Sequence, residues 1–121
     1  VQFIGVLPFT KVLAELSKAD IYFHPSGNES FGIAMIEAMG AGLPVIAAKS
    51  GGAMDIVVPD TGVLCEIGDI DALAKAVAEL ASSAEMRASQ GIAGRARAIS
   101  LYSWESRMDS LMPIWEQALT S

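Results

Sequence analysis

The sequence holds one cysteine, Cys65, and one histidine, His24, in 121 residues. A lone cysteine excludes a disulfide framework within the chain and fits a reducing, cytoplasmic setting. Basic residues are scarce too. Eight lysines and arginines face fourteen aspartates and glutamates, for a formal net charge of −6 and a pI near 4.6. With no Lys/Arg cluster to offset that charge, the surface argues against a nucleic-acid backbone as partner. No uninterrupted apolar run reaches the roughly 18 residues a transmembrane helix needs. The best stretch, residues 32–48, is broken by Glu37 and Pro44. The opening "VQFIGV" has neither a basic n-region nor a cleavage site, so it reads as a strand already under way rather than a signal peptide. Internal repeats, low-complexity stretches and linkers are all lacking.

What is abundant is apolar. Hydrophobic residues make up 52% and charged residues 18%, and the mean hydropathy is +0.43. That is one globular domain with a single core. The hydropathy is high for a free-standing soluble domain, and a missing neighbour explains it better than a membrane does.

Along the chain, short apolar strands alternate with helical patterns. Strands are expected at residues 1–5, 21–24, 45–48 and 62–67. Helices are expected at residues 11–18 behind Thr10, from Asn28 or Ser30 to Ala41, and at 70–82 behind Asp69. The first should carry Val12, Leu13 and Leu16 on one face, and the third Leu73, Val77 and Leu80. Two more should run over residues 84–99 and 104–119. "KSGGAMD" reads as a turn. Nearly all-apolar strands separated by helices predict an α/β domain, a Rossmann-like parallel sheet with helices on both faces. Ligands bind such sheets beyond the carboxyl ends of the strands, where "HPSGNESFG" lies.

Three familiar patterns fail inspection. "GNESFGIA" begins like a P-loop, but Ile33 and Ala34 stand where Lys and Ser/Thr are required. "GAGLPV" follows a helix and precedes a strand, the reverse of a dinucleotide fingerprint. "DID" at residues 69–71 mimics a metal-holding pair, yet Asp69 stands where a helix N-cap belongs. No metal site is expected. His24 and Cys65 read as packing residues.

Glu29 and Glu37 resist that treatment. Around Glu37 lie Ile33, Ala34, Met35, Ile36, Ala38 and Met39, apolar around nearly the whole helix, which predicts a buried helix. A buried carboxylate needs a partner, and no nearby Lys or Arg offers one. Ligand hydroxyls would. The first N–H groups of this helix, on Gly32, Ile33 and Ala34, favour an anion, and Gly32 allows close approach. Hydroxyls at Glu29, a diphosphate at the helix start and hydroxyls at Glu37 describe a sugar–diphosphate–ribose.

"PSGNESFGIAMIEAMGAGLPV" closely resembles the E-x7-E region of retaining GT-B glycosyltransferases of family 4, the group-1 glycosyl transferases. The resemblance extends through "VQFIGVL", "ADIYFHPS", "SGGAMDIV", "TGVLCEIGDIDALAKAV" and "YSWES", and so covers practically the whole chain. Gly40 and Asp55 depart from the usual Ala and Glu, away from the expected contacts. The resemblance implies that Glu29, as the catalytic residue, and the backbone of Phe31 and Gly32 hold the donor sugar. It implies that Ile33 and Ala34 N–H groups meet the distal phosphate and that Glu37 binds the ribose. The loop of Gly5, Val6 and Leu7, up to Pro8, would border the base. The donor would be a UDP-, GDP- or ADP-sugar, with no cofactor and no divalent metal.

In that family such a segment is the second part of the C-terminal donor-binding domain. Residues 1–121 are therefore expected to be a fragment without its first strands and without the N-terminal acceptor domain, inactive alone. Any peripheral association with the inner face of a membrane would come through the missing part. An uncovered sheet edge would invite self-association. The alternatives are a nucleotide-sugar-binding module without catalysis, or an interaction fragment in which both glutamates are solvated.

Overall fold

A computed structural model describes residues 1–120. Three parallel strands, β1 (Tyr22–His24), β2 (Val45–Ala48) and β3 (Gly62–Cys65), form a sheet in the order β1-β2-β3. Tyr22 pairs with Val45, and Val45 with Gly62. Every strand is followed by a helix: α2 (Ile33–Gly40), α3 (Gly51–Ile56) and α4 (Ile70–Ser82). Before β1 comes α1 (Phe9–Leu16), and after α4 come α5 (Ala84–Tyr102) and α6 (Trp104–Thr120).

The central strand shows why both faces are covered. All four β2 residues are buried, and alternation sends them to opposite sides. Val45 and Ala47 join Met35, Ala38 and Met39 of α2, Ala53 and Ile56 of α3 and Ala98 of α5. Ile46 joins Cys65 with Leu73, Ala76 and Leu80 of α4. The expected α/β fold class, a Rossmann-like parallel sheet between helices, is what forms.

Several local expectations need correction. Residues 1–5 form no strand, because no neighbour supplies a ladder; Val1, Phe3 and Ile4 are exposed. The helix expected behind Thr10 begins at Phe9, with Pro8 at the cap and no side-chain cap bond. Proline's fixed φ suits that position, and its carbonyl accepts from Lys11 N–H at 2.8 Å. Leu13 is exposed, so the first helix buries less than its pattern implied. The turn expected at "KSGGAMD" contains α3 instead. Its two glycines hid the helix from propensity. Gly52 is there for space, since a Cβ would stand 2.6 Å from the Phe31 carbonyl oxygen. The third strand stops at Cys65. On α4 it is Ala76, not Val77, that completes the buried stripe with Leu73 and Leu80.

Two helix ends position the site. The α2 C-terminus closes with Gly42 N–H donating to Met39 O and Leu43 N–H to Ala38 O, the paired bonds of a Schellman turn. Arg95 caps it further by donating to Gly40 O at 2.7 Å. Arg97 does the same for α3, donating to Asp55 O and Ile56 O. Cations at helix C-termini complement the dipole, so α5 ties down the two helices that follow β1 and β2.

Candidate functional site

Residues 25–32 run from the carboxyl end of β1 to the start of α2. Neither Asn28 nor Ser30 caps that helix. The N-cap is Gly32, in the left-handed region at φ 91°, with no side-chain cap bond. Its missing Cβ makes room on the core side, where one would stand 2.4 Å from Met35 Cε and 2.9 Å from Ile56 Cδ1. The first bonds within α2 are donated by Met35 and Ile36, both to Gly32 O. The N–H groups of Ile33 and Ala34 therefore find no acceptor in the helix.

The helix is not buried all round, as its composition predicted. Met35, Ala38 and Met39 face the core, but Ile33 is 62% exposed, Ala34 is exposed and Phe31 is 54% exposed. Glu37 is half-buried at the edge of this open apolar face. Glu37 is therefore not the fully buried carboxylate that the composition of the helix predicted. Among the described residues, however, its carboxylate has no hydrogen-bond donor or cation paired with it.

Glu29 is held from three sides. Its carbonyl accepts from Gly52 N–H at 3.0 Å, which fastens the loop to the start of α3. Its Oε1 accepts from Phe31 N–H at 3.1 Å, and Oε2 stands 3.3 Å from His24 Nε2. That last pair is within ion-pair reach, but Nε2 makes no aligned hydrogen bond. It is a close electrostatic contact.

Tyr22 joins the two glutamates. Burial pushes its phenol up, and the charges of Glu37 and then Glu29 push it further in the same direction. Both carboxylates thus act on one hydroxyl. Sequence reasoning missed Tyr22 and left His24 as a packing residue. The signal was the i, i+2 spacing in "YFHP", which puts both rings on one side of the strand. The structure brings Glu29, Phe31, Gly32, Ile33, Ala34 and Glu37 to one loop and one helix. Gly5 and Val6 are exposed and Leu7 is half-buried, and no described hydrogen bond ties them to the Glu29 loop.

Other places are less suited to a ligand. A depression of about 620 Å³ beside Pro59, Asp60, Ser83 and Gln90 lies at the amino end of β3, the wrong end of a parallel sheet. Asp69 accepts from Ala72 N–H at 2.9 Å as the α4 N-cap, which is what "DID" was expected to do. No group of three or more His, Cys, Asp or Glu among the described residues could hold a metal ion. None of the described helices is long and apolar enough to cross a membrane.

A family model described as group 1 glycosyl transferases matches residues 1–97. The chain belongs to the group 1 glycosyl transferases. A GDP-mannose-dependent monoacylated alpha-(1-6)-phosphatidylinositol monomannoside mannosyltransferase of Corynebacterium glutamicum is 38% identical over 112 residues, 87% of this chain and 29% of the relative. A phosphatidyl-myo-inositol mannosyltransferase of Mycobacterium leprae is 33% identical, covering 100% of this chain and 33% of its own length. Sucrose-phosphate synthase from Thermosynechococcus elongatus superposes with a TM-score of 0.92 at 32% identity, over 99% of this chain and 30% of that one. The likeness supports the GT-B fold. This group 1 chain spans about a third of the length of these relatives.

Proposed function

We propose that this chain supplies the donor site of a retaining, family 4 glycosyltransferase, as the second part of its C-terminal domain. In the reaction, the sugar's anomeric carbon leaves the distal phosphate oxygen of a nucleoside diphosphate and bonds to an acceptor hydroxyl oxygen, whose proton passes to the departing diphosphate. The observation that carries this reading is the uncapped α2 N-terminus at the carboxyl end of β1, with Glu29 bonded to Phe31 N–H at its entrance and Glu37 one turn along the helix.

Each group has a role in keeping with its surroundings. Glu29, fixed by Phe31 N–H and beside His24, accepts from donor-sugar hydroxyls, with the Phe31 and Gly32 backbone beside it. Ile33 and Ala34 N–H groups, without helix acceptors, receive the distal phosphate. There the helix dipole favours the charge that develops as the diphosphate departs. Glu37, unpaired, accepts from the ribose hydroxyls. No step calls on a divalent metal.

The names of the relatives support GDP-mannose as the first donor to test and a lipid-linked inositol mannoside as the first acceptor. Such an acceptor is met at a membrane surface, which fits association through an N-terminal domain. The 121 residues alone should transfer nothing.

The test is calorimetry on the full-length protein with UDP-glucose, GDP-mannose and ADP-glucose, followed by a transfer assay. One donor should bind and turn over, with chelator present. In Glu29→Ala, affinity for the bare nucleoside diphosphate should persist while transfer falls. Binding of no sugar nucleotide, or undiminished transfer by Glu29→Ala, would sink the reading.

A further inference from the structure

The polar group least explained so far is the His24 ring. Its Nε2 is shut off from solvent and makes no aligned hydrogen bond, yet it stands 3.3 Å from Glu29 Oε2. Tyr22 lies on its other side. The two rings are near parallel, at 18° with centroids 6.1 Å apart, and Tyr22 Oη is 3.5 Å from His24 Nδ1.

Chemistry assigns the protons. A buried nitrogen lone pair beside a carboxylate is repelled by it, so the proton belongs on Nε2, the nitrogen nearest Glu29. In the neutral ring Nδ1 is then an acceptor, and the nearest donor is the Tyr22 hydroxyl. Burial, with two carboxylates nearby, keeps that hydroxyl protonated. The polarity runs one way, from Tyr22 through His24 to Glu29. Phe31 N–H meets the other carboxylate oxygen.

We propose that His24 is a positioning residue for Glu29. Its Nε2–H steers Oε2 while Phe31 N–H fixes Oε1, so the carboxylate meets the donor sugar in one orientation. This inference rests on the donor-site reading above. It separates His24 from the phosphate and ribose contacts, which lie on α2. Losing the imidazole should therefore weaken recognition of the sugar and leave recognition of the nucleotide intact.

The experiment uses the full-length protein and whichever of UDP-glucose, GDP-mannose and ADP-glucose it turns over. The donor KM, the kcat and the inhibition constant of the matching bare diphosphate are measured for wild type, His24→Leu, His24→Gln and Tyr22→Phe. With one close N–H···carboxylate contact to a partly exposed group at stake, His24→Leu should raise the donor KM about fivefold. The inhibition constant should not move. His24→Gln, which can return an N–H to the Nε2 position, should restore most of the loss, and Tyr22→Phe should raise the donor KM about twofold.

Equal losses for donor and bare diphosphate would overturn the proposal, as would a glutamine no better than leucine. An unchanged donor KM in His24→Leu would do the same. If the leucine variant does not fold, an unchanged donor KM in Tyr22→Phe overturns it instead. Normal transfer by Glu29→Ala removes the donor-site reading itself. Impaired Glu29→Ala beside a wild-type-like His24→Leu removes the role of His24 alone.

Discussion

Of the three passages from a parallel strand into a helix, β1 into α2 and β3 into α4 make the sharpest pair. The two are finished differently. At α4 the protein satisfies its own backbone: Asp69 accepts from Ala72 N–H, and Asp71 stands in the first turn. At α2 there is no side-chain cap and no acid in the first turn, and the cap residue is a glycine. An N-cap carboxylate complements free N–H groups and the dipole, typically by about 1 kcal/mol. Omitting it at α2 leaves the helix start open, with Glu29 just before it and Glu37 one turn along. The comparison separates a helix start built for stability from one suited to a ligand.

The glycines before the two helices give the largest expected effect. Gly32 and Gly68 both have positive φ, at 91° and 82°, where a Cβ is strained. Around Gly68 nothing lies within 4 Å of the added atom, whereas at Gly32 it would run into Met35 and Ile56. Gly32→Ala should cost about 3 kcal/mol from strain and overpacking together, and Gly68→Ala about 1 kcal/mol from strain alone. Urea unfolding of the two variants measures the difference; equal losses would mean that the core side of Gly32 can yield.

Function should divide the helices next. In the proposed donor site Glu37→Ala would remove hydrogen bonds to the ribose, each worth about 1.5–3 kcal/mol to a charged acceptor, so the donor should bind at least about tenfold more weakly. Its unfolding midpoint should hardly change, because no hydrogen-bond donor or cation among the described residues pairs with the carboxylate. Asp69→Ala should do the opposite. It should lower stability by about 1 kcal/mol, read by denaturant titration, and leave transfer intact. Loss of transfer in Asp69→Ala would blur the contrast between the two helix starts.

The same contrast shows what the sequence could reveal. The α4 start was legible because a cap is a local device: Gly68-Asp69 before an apolar period states it outright. The α2 end was legible for the same reason, with Gly42 closing a Schellman turn. The α2 start was misread, since Asn28 and Ser30 look like caps while the residue used is Gly32. Its fitness depends on Met35 and Ile56, the latter 24 positions away. Strand 1–5 and α3 failed for related reasons: one needs a ladder partner and the other hides behind two glycines. The glutamates were singled out by their pattern. Tyr22 was not, because two carboxylates acting on one phenol is a fact of three dimensions.

That phenol provides the smallest and sharpest test. Burial first, then Glu37 and Glu29, raise the Tyr22 phenol above its ordinary value near 10. A raised folded-state value means that the folded chain keeps its proton while the unfolded chain releases one. Stability tied to Tyr22 is then fully present below about pH 10 and is lost as pH climbs through the folded value. Unfolding free energy, followed by denaturant titration from neutral pH into that window, should fall more steeply in wild type than in Tyr22→Phe. Replacing Glu37 with Gln should shrink the difference, because it removes the larger of the two charges acting on the phenol. Replacing Asp69 with Asn, at the other helix start, should leave it unchanged. A wild-type slope equal to that of Tyr22→Phe would mean that the carboxylates do not converge on this hydroxyl, and the site would lose the observation that joins its two halves.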